Sequence, residues 1–325
     1  MYRAQVVADS AGPAGYRATS VLCTYPRIVH AEFIRHREFS YSVGSTRAIP
    51  GKKQREKVAA EPMRPAWWGK AQPGMQAREE LTGEALKQAK EIWERGRQEA
   101  LKLAEELEGV GVHKQLANRP IETWADVVQL TSATSWTNFL AQRDHPDAQP
   151  EVALIARRVS VALAGSEPKT LSAGEWHLPF VTAEDLATVV PAARVGALNM
   201  HMAANLADSG LDLHGVFLVA LSAARCARTS YLNHEGRRVP EEDVDLYLRL
   251  VNSSPGHWSP AEHVCRAMAP LGWRDRLALR AAAWISGRER FVKHGERFLL
   301  GSGNFVGWEQ LRKLYLKEYV GGVRG

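Results

Sequence analysis

Short alternating runs of hydrophobic residues open the chain, and longer stripes at helical spacing follow. Residues 6–23 are partly β-branched and are interrupted by glycines and a proline, which predicts strand, turn and strand. Pro26 suits a first helical position, and Val29, Phe33 and Ile34 place an apolar stripe after it. The pattern therefore predicts a hairpin that leads into a short helix.

The middle of the chain, residues 52–110, is predicted to be an irregular excursion followed by a long helix. Residues 52–74 are rich in Lys, Pro, Trp and Gly and have no apolar period, which is typical of irregular structure. Residues 76–108 repeat apolar side chains at helical spacing among Glu, Lys and Arg. We expect this helix to serve as a scaffold or a subunit contact.

Helical spacing dominates the rest of the chain. A helix pair is predicted over residues 123–164, with a turn at residues 144–146. Further helices are predicted over residues 183–207, 216–225, 241–251 and 308–319, and loops over residues 165–179 and 253–260.

Composition and charge exclude several classes of protein. With 325 residues, of which 45% are hydrophobic and 24% charged, the chain has the composition of a cored protein and not of a disordered one. No apolar run approaches the roughly 18 residues that span a bilayer. The three cysteines lie far apart without a C-x-x-C pair, which argues against a disulfide framework or a metal site and favours a cytoplasmic location.

The net charge of +6 favours a protein that handles anions, either phosphorylated small molecules or nucleic acid. Common phosphate and metal motifs are absent, since the chain has no G-x-x-x-x-G-K-[ST] and no H-E-x-x-H. None of the cysteines lies near a histidine in a nucleophile-like sequence context, which argues against thiolate catalysis.

The strongest local signal is the basic and serine-rich segment 35–47. It begins with Arg35-His36-Arg37, where a predicted helix ends, and closes with Ser45 and Arg47. Cations at a helix C-terminus are favourable on their own, so a solvated basic cap is one interpretation. The other is a phosphate cradle, in which hydroxyl groups and arginines share an anion.

Four blocks of the chain resemble flavin-dependent thymidylate synthases. Residues 32–47 are similar to that family's signature R-H-R-x-x-S-x-x-x-x-S-x-R. Residues 136–151 match W-x-x-F-x-x-x-R-x-x-x-x-A-x-x-E, residues 227–231 match A-R-x-S-Y, and residues 256–263 match G-H-x-S-x-x-E-H. In the common arrangement the last two blocks precede R-H-R. We therefore expect residues 1–325 to form a single, circularly permuted catalytic unit with its displaced blocks at 225–265.

The resemblance implies an α/β fold of the α+β type, in which helices flank a mixed or antiparallel sheet, and a homotetramer with active sites between subunits. It also assigns roles to individual residues. The positions matching FAD contacts are Arg35, His36, Arg37, Asn138, Ser230 and Ser259. Those matching nucleotide contacts are Glu32, Ser45, Arg47, Arg119 and Arg143, and His257 matches a histidine near flavin and folate. Among these, Arg143, His257 and Ser45 are the expected catalytic residues.

The reaction implied by the resemblance is the transfer of a methylene group from methylenetetrahydrofolate to C5 of dUMP, with FAD reduced by NADPH. Arginine forks suit phosphate groups and the charge that develops on the base. Val43 and Ala48 stand where the family is polar. Hydroxymethylation of dCMP or dUMP is therefore a second prediction, and it would suit a phage enzyme in a host cytoplasm.

The alternative outside enzymology is a nucleic-acid-binding protein. In that case the segments 35–47 and 273–297 would track phosphates, binding would depend strongly on salt, and no flavin would be present.

Overall fold

A five-stranded mixed sheet forms the centre of the computed structural model, which describes residues 2–206, 209–229, 239–286, 295 and 299–315. Its strands are β1 (Arg3–Ala11), β2 (Arg17–Pro26), β3 (Ser40–Val43), β4 (Asp126–Ala133) and β5 (Lys169–Thr170). They lie in the order β3-β4-β2-β1-β5, and only the β1–β5 pair is parallel.

The first half of the chain contains the helices α1 (His30–Phe33), α2 (Gly51–Ala60), α3 (Gly83–Gly109), α4 (Lys114–Ala117), α5 (Thr137–Arg143) and α6 (Pro150–Ala164). The apolar stripe of α6, which includes Val152, Ile155 and Val159, packs on Val21 and Cys23 of β2. Burying one such aliphatic side chain contributes about 1.5–3 kcal/mol, so this stripe fixes α6 to the sheet.

The second half of the chain adds a helical layer and two small sheets. Its helices are α7 (Ala183–Ala187), α8 (Ala192–Asn205), α9 (Leu213–Arg228), α10 (Pro240–Asn252) and α11 (Trp273–Ser286). Its strands are β6 (Trp176–His177), β7 (Cys265–Ala267), β8 (Gly301–Ser302), β9 (Phe305–Val306) and β10 (Trp308–Gln310), with β10-β7-β6 forming an antiparallel sheet. Trp308 of β10 is fully buried and donates its indole N–H to the carbonyl of Tyr16. The second half thereby contacts the N-terminal hairpin.

The architecture confirms the mixed α/β fold, the N-terminal hairpin and the helices around residues 150–164, 213–228 and 240–252. Two helix predictions were wrong: residues 126–133 and 308–310 are strands. Strand β4 mixes apolar and polar residues without strict alternation, and its last five residues are all buried, so its pattern does not distinguish a buried strand from a helix. Its pairing between β2 and β3 decides the conformation.

The predicted excursion also contains a helix that the pattern did not reveal. Residues 51–60 form α2, which has Val58 as its buried aliphatic side chain, and Val58 lies in one cluster with Ala104 of α3. A single apolar anchor is too little to give a visible period, so packing against α3 stabilises this helix. Helix α3 itself begins at Gly83 rather than at residue 76.

A buried ion cluster ties α9 to its neighbours. The Arg225 guanidinium is 4% exposed, and its Nη2 donates to Asp185 Oδ1 at 2.8 Å while its Nε donates to Asp243 Oδ2 at 2.9 Å. Arg228 also donates to Asp243. Hydrogen bonds from Arg225 and Thr182 hold the pKa of Asp185 at about 2, against the opposing effect of burial.

Replacing Arg225 with methionine is expected to lower the free energy of unfolding by about 3–5 kcal/mol, because two buried carboxylates lose their main cation. The matched control is Arg194→Met, which removes a more exposed pair with Asp245 and should cost less than about 1 kcal/mol. Chemical denaturation of both variants measures the difference. Equal stabilities for the two variants would contradict the prediction.

In the part of the chain that the structure describes, no helix combines the length and the apolar character needed to cross a bilayer.

Candidate functional site

Strand β3 connects the R-H-R segment to the serine-rich loop. The Tyr41 hydroxyl lies 2.8 Å from the carbonyl oxygen of His36 and 3.1 Å from that of Phe33, and the two carbonyls share its single proton. These bonds fix the backbone that carries Arg35 and Arg37 against β3. The His36 ring packs edge-on to Phe139, with ring centroids 5.0 Å apart. The central histidine of the motif is thus anchored while its flanking arginines face solvent.

Arg143, at the end of α5, contacts this anchored histidine. Its Nε donates to His36 Nε2 at 3.0 Å. Burial and the nearby Arg143 cation lower the pKa of His36, which favours the neutral ring. Because Nε2 accepts, the neutral ring carries its proton on Nδ1. The structure therefore brings together two predicted site residues that are 107 positions apart.

Four arginines around β3 have no acidic partner among the described residues: Arg35, Arg37, Arg47 and Arg143. Elsewhere in the same region arginines are paired, since Arg27 lies 3.1 Å from Glu122 and Arg55 contacts Glu108. Guanidinium groups without acidic partners are suited to bind phosphate in a bidentate manner. This donor set fits the pyrophosphate of FAD and the phosphate of a nucleotide.

Hydrogen bonds to Glu122 and Asn118 hold the loop at residues 44–49, which carries Ser45 and Arg47. Thr46 Oγ1 donates to Glu122 Oε1 at 2.9 Å, and Asn118 Nδ2 donates to the carbonyl of Thr46 at 3.1 Å. Arg119 is exposed and pairs with the same Glu122, at 3.0 Å. Asn118 thus contacts the loop directly, whereas Arg119, the predicted residue, reaches it through Glu122.

Two other predicted contacts lie on α1 and α5. Glu32 is half-buried, and its buried Oε2 atom has no hydrogen-bond partner among the described residues. A buried acceptor without a partner is costly, so a bound donor would relieve it. Asn138 is exposed, and its Oδ1 accepts from Gln142 Nε2 at 2.9 Å. Its neighbour Phe139 lies in the core.

The fourth block of the resemblance packs against β3. Its 3-10 turn, Ser259–Glu262, contacts this strand, so a block that follows R-H-R by about 200 residues returns to it in space. His257 and Ser259 are exposed, whereas Glu262 pairs with Arg312. Of the third block, Ser230 lies outside the described residues.

His263, the last residue of the fourth block, belongs to a buried chain of hydrogen bonds that the sequence did not predict. The chain runs in the order Ser10, His177, Ser20, Ser132, His263 and Ser42. Its five donor–acceptor distances are 2.9, 2.9, 2.5, 2.8 and 2.9 Å in that order. Each member is at most 6% exposed. We refer to these six residues as the serine–histidine chain.

Both histidines of the serine–histidine chain are neutral near pH 7. Complete burial lowers the pKa of His177 to about 4, although Asp9 opposes the shift. Burial and the neighbouring His177 lower the pKa of His263 to about 3. The four serines occupy ordinary strand positions and give no signal in the sequence. The network could have been predicted only from a histidine expected to be buried beside a polar strand face.

A separate cavity of about 1070 Å³ lies between the excursion and the start of α6. Trp67, Trp93, Arg78, His145 and Glu151 are among its lining residues. None of the eleven predicted site residues that the structure describes lines it.

Comparisons with known proteins agree with the resemblance of the first two blocks. Residues 16–168, just under half of the chain, match the family described as thymidylate synthase complementing protein. No curated protein sequence matches the chain. Because the family match spans β2 to α6, it includes the R-H-R segment, the loop at residues 44–49 and Arg143.

Two similar solved structures are of a UMP/dUMP methylase PolB from Streptomyces cacaoi. The one bound with 5-Br UMP is 15% identical, covers 50% of this chain and 89% of its own, and has a TM-score of 0.41. The one bound with 5-Br dUMP is 19% identical, covers 47% of this chain and 69% of its own, and has a TM-score of 0.40. Similarity at this level assigns no function, so the family match over residues 16–168 is the finding that bears on the resemblance.

Proposed function

We propose that the protein transfers a one-carbon unit from methylenetetrahydrofolate to C5 of a pyrimidine deoxynucleotide, with dUMP as the substrate and dTMP as the product. FAD is the cofactor and NADPH the reductant in this proposal. It rests on the family match over residues 16–168 and on the four arginines around β3 that have no acidic partner among the described residues. The arginines are the observation that carries it.

Each part of the proposed site has a physical task. Arg35 and Arg37, on the segment fixed by Tyr41, bind the pyrophosphate of FAD, and Ser259 and Asn138 add polar contacts. Ser45 and Arg47 bind the nucleotide, and Arg119 contributes to its phosphate. Glu32 accepts a hydrogen bond from the base through Oε2, which has no partner among the described residues. The flavin, once bound, supplies the electrons, so a cysteine nucleophile is not required.

Arg143 has two tasks in this proposal. Its Nε is engaged by His36, which fixes the direction of the side chain, and its terminal nitrogens remain available to the substrate. A fixed cation beside the pyrimidine stabilises negative charge that develops on the ring, and because it is held in advance it need not reorganise during the reaction. His257 is exposed beside the 3-10 turn, and we assign it a contact with folate.

The assembly belongs to the same proposal. Arg35, Arg37 and Arg47 are exposed in the single chain, and an active site shared between subunits would enclose them. We propose a homotetramer on this basis.

The reaction is tested by incubating the protein with methylenetetrahydrofolate, NADPH and either dUMP or dCMP, and by measuring the product mass. We expect thymidylate from dUMP. Arg143→Ala should lower kcat/KM by about 100-fold or more, because a fixed charge contact at the reacting ring is lost. Arg158→Ala, which removes an exposed arginine of α6, is the control.

Two other products would overturn the choice of reaction. A product one oxygen heavier than thymidylate would indicate hydroxymethylation, and turnover of dCMP alone would indicate a different base. Absence of turnover, with salt-dependent binding to DNA and no flavin, would support the nucleic-acid-binding alternative.

A further inference from the structure

The carboxylate of Glu122 joins the loop at residues 44–49 to two arginines. Its Oε1 accepts from Thr46 Oγ1 at 2.9 Å and lies 3.1 Å from Arg27 Nε. Arg119 Nη1 lies 3.1 Å from the same oxygen and 3.0 Å from Oε2. The loop and both cations are therefore arranged around one anion.

The two arginines are held to different degrees. The backbone N–H of Arg27 donates to the carbonyl of Ala125 at 3.0 Å, and the Arg27 side chain is 19% exposed. The Arg119 side chain is 49% exposed and donates to Glu122. Because an exposed ion pair contributes little to stability, a competing anion can take Arg119 away from Glu122 at little cost.

The loop itself is arranged to receive such an anion. The carbonyl of Thr46 accepts from Asn118 Nδ2 at 3.1 Å, and that of Ala48 accepts from Lys114 Nζ at 3.4 Å. These carbonyl oxygens, which would repel an anion, are thus engaged by donors of the protein. A loop whose carbonyls are turned away in this manner is better suited to bind a phosphate.

We propose that Glu122 is a positioning residue that holds Arg119 in the free protein and releases it to the phosphate of the nucleotide. Thr46 and Arg119 bind the same oxygen of Glu122, so a phosphate on the loop lies close to both partners of the ion pair. The phosphate attracts Arg119 and is repelled by Glu122, so binding exchanges one ion pair for another. Arg27 and Thr46 stay on Glu122 and keep the loop in place. The exchange rests on the proposed function, in which the nucleotide binds at this loop.

Glu122→Gln separates the charge of this side chain from its hydrogen bonds. The amide oxygen can still accept from Thr46 and Arg27, but the side chain no longer attracts Arg119 or repels a phosphate. We expect the Kd for dUMP to fall about threefold to tenfold at low ionic strength, and this gain should shrink as salt is added. The Kd for deoxyuridine, which lacks the phosphate, should not fall. Isothermal titration calorimetry with each ligand measures the difference.

A double-mutant cycle shows whether Arg119 changes its partner. Arg119→Gln should raise the Kd for dUMP by a larger factor in the Glu122→Gln background than in the wild type. The reason is that in the wild type the loss of Arg119 also removes an ion pair that competes with binding. Equal factors in the two backgrounds would overturn the exchange.

Glu94→Gln is the matched control, because Glu94 of α3 is also shared by two arginines. It lies 2.8 Å from Arg97 Nε and 3.6 Å from Arg64 Nη2. This variant removes the same charge away from the loop and should leave the Kd for dUMP within about twofold.

The remaining outcomes separate this proposal from the proposed function. If wild-type protein binds dUMP and Glu122→Gln binds it equally well or more weakly, Glu122 has only a structural role and the exchange is overturned. Tighter binding of deoxyuridine by Glu122→Gln would also overturn it, since the gain would not depend on the phosphate. Wild-type protein that binds no pyrimidine nucleotide would instead refute the proposed function, and the exchange with it.

Discussion

Removing the two arginines of the R-H-R segment should strip the protein of flavin. We expect Arg35→Ala with Arg37→Ala to raise the Kd for FAD by about 100-fold or more, because each charge-assisted hydrogen bond contributes about 1.5–3 kcal/mol. The two side chains are exposed and have no acidic partner among the described residues, so their loss should not disturb the fold. Flavin absorbance of the purified protein and titration of the apoprotein with FAD measure the effect.

A matched variant separates this contact from a general effect of charge. Arg95→Ala with Arg158→Ala also removes two exposed arginines, one from α3 and one from α6, and should leave FAD affinity within about twofold. If both double variants bind FAD equally well, the R-H-R segment is not its site.

Lowering the pH should destabilise the protein already at pH values above those at which carboxylates titrate. His177 and His263 have folded-state pKa values of about 4 and about 3, below the ordinary value of 6.5. Their stabilising contribution is therefore complete above pH 6.5 and is lost as the pH falls toward these values, because the unfolded chain binds the protons first. At pH 4 each histidine should have lowered the free energy of unfolding by on the order of 3 kcal/mol relative to its value above pH 6.5.

Denaturation measured between pH 7 and pH 4.5 isolates this effect, since the lowered pKa of Asp185, at about 2, confines its influence to more acidic solution. His30 and His36 have pKa values shifted in the same direction and add to the slope. The variant His177→Gln should be less stable than the wild type at pH 7, but its free energy of unfolding should depend less steeply on pH. A slope equal to that of the wild type would contradict the assignment.

Parts of the site were predictable because motifs are local. The R-H-R segment, Ser45 and Arg47 lie within 13 consecutive residues, and any fold that keeps this segment ordered keeps them near one another. The alternation in residues 6–23 likewise marks a hairpin without knowledge of its partners, because register and pleat already specify which face is buried.

Other features were invisible because they depend on pairing across the chain. Strand β4 resembles a buried helix until β2 and β3 lie on its two sides. Helix α2 has too few apolar residues to give a pattern, and it exists because α3 packs against it. The six members of the serine–histidine chain come from four strands and two distant segments, so no window of sequence contains it.

The sequence by itself thus determined the family segment, the basic motif and the hairpin, because each depends on residue types at short spacing. Only the tertiary structure decided that Arg143 docks on His36, that Glu122 and Asn118 hold the loop at residues 44–49, and that His263 returns to β3. The physical reason is that a hydrogen bond between distant residues depends on where the sheet and its packing place their atoms, whereas the spacing of a local motif is already fixed by the backbone.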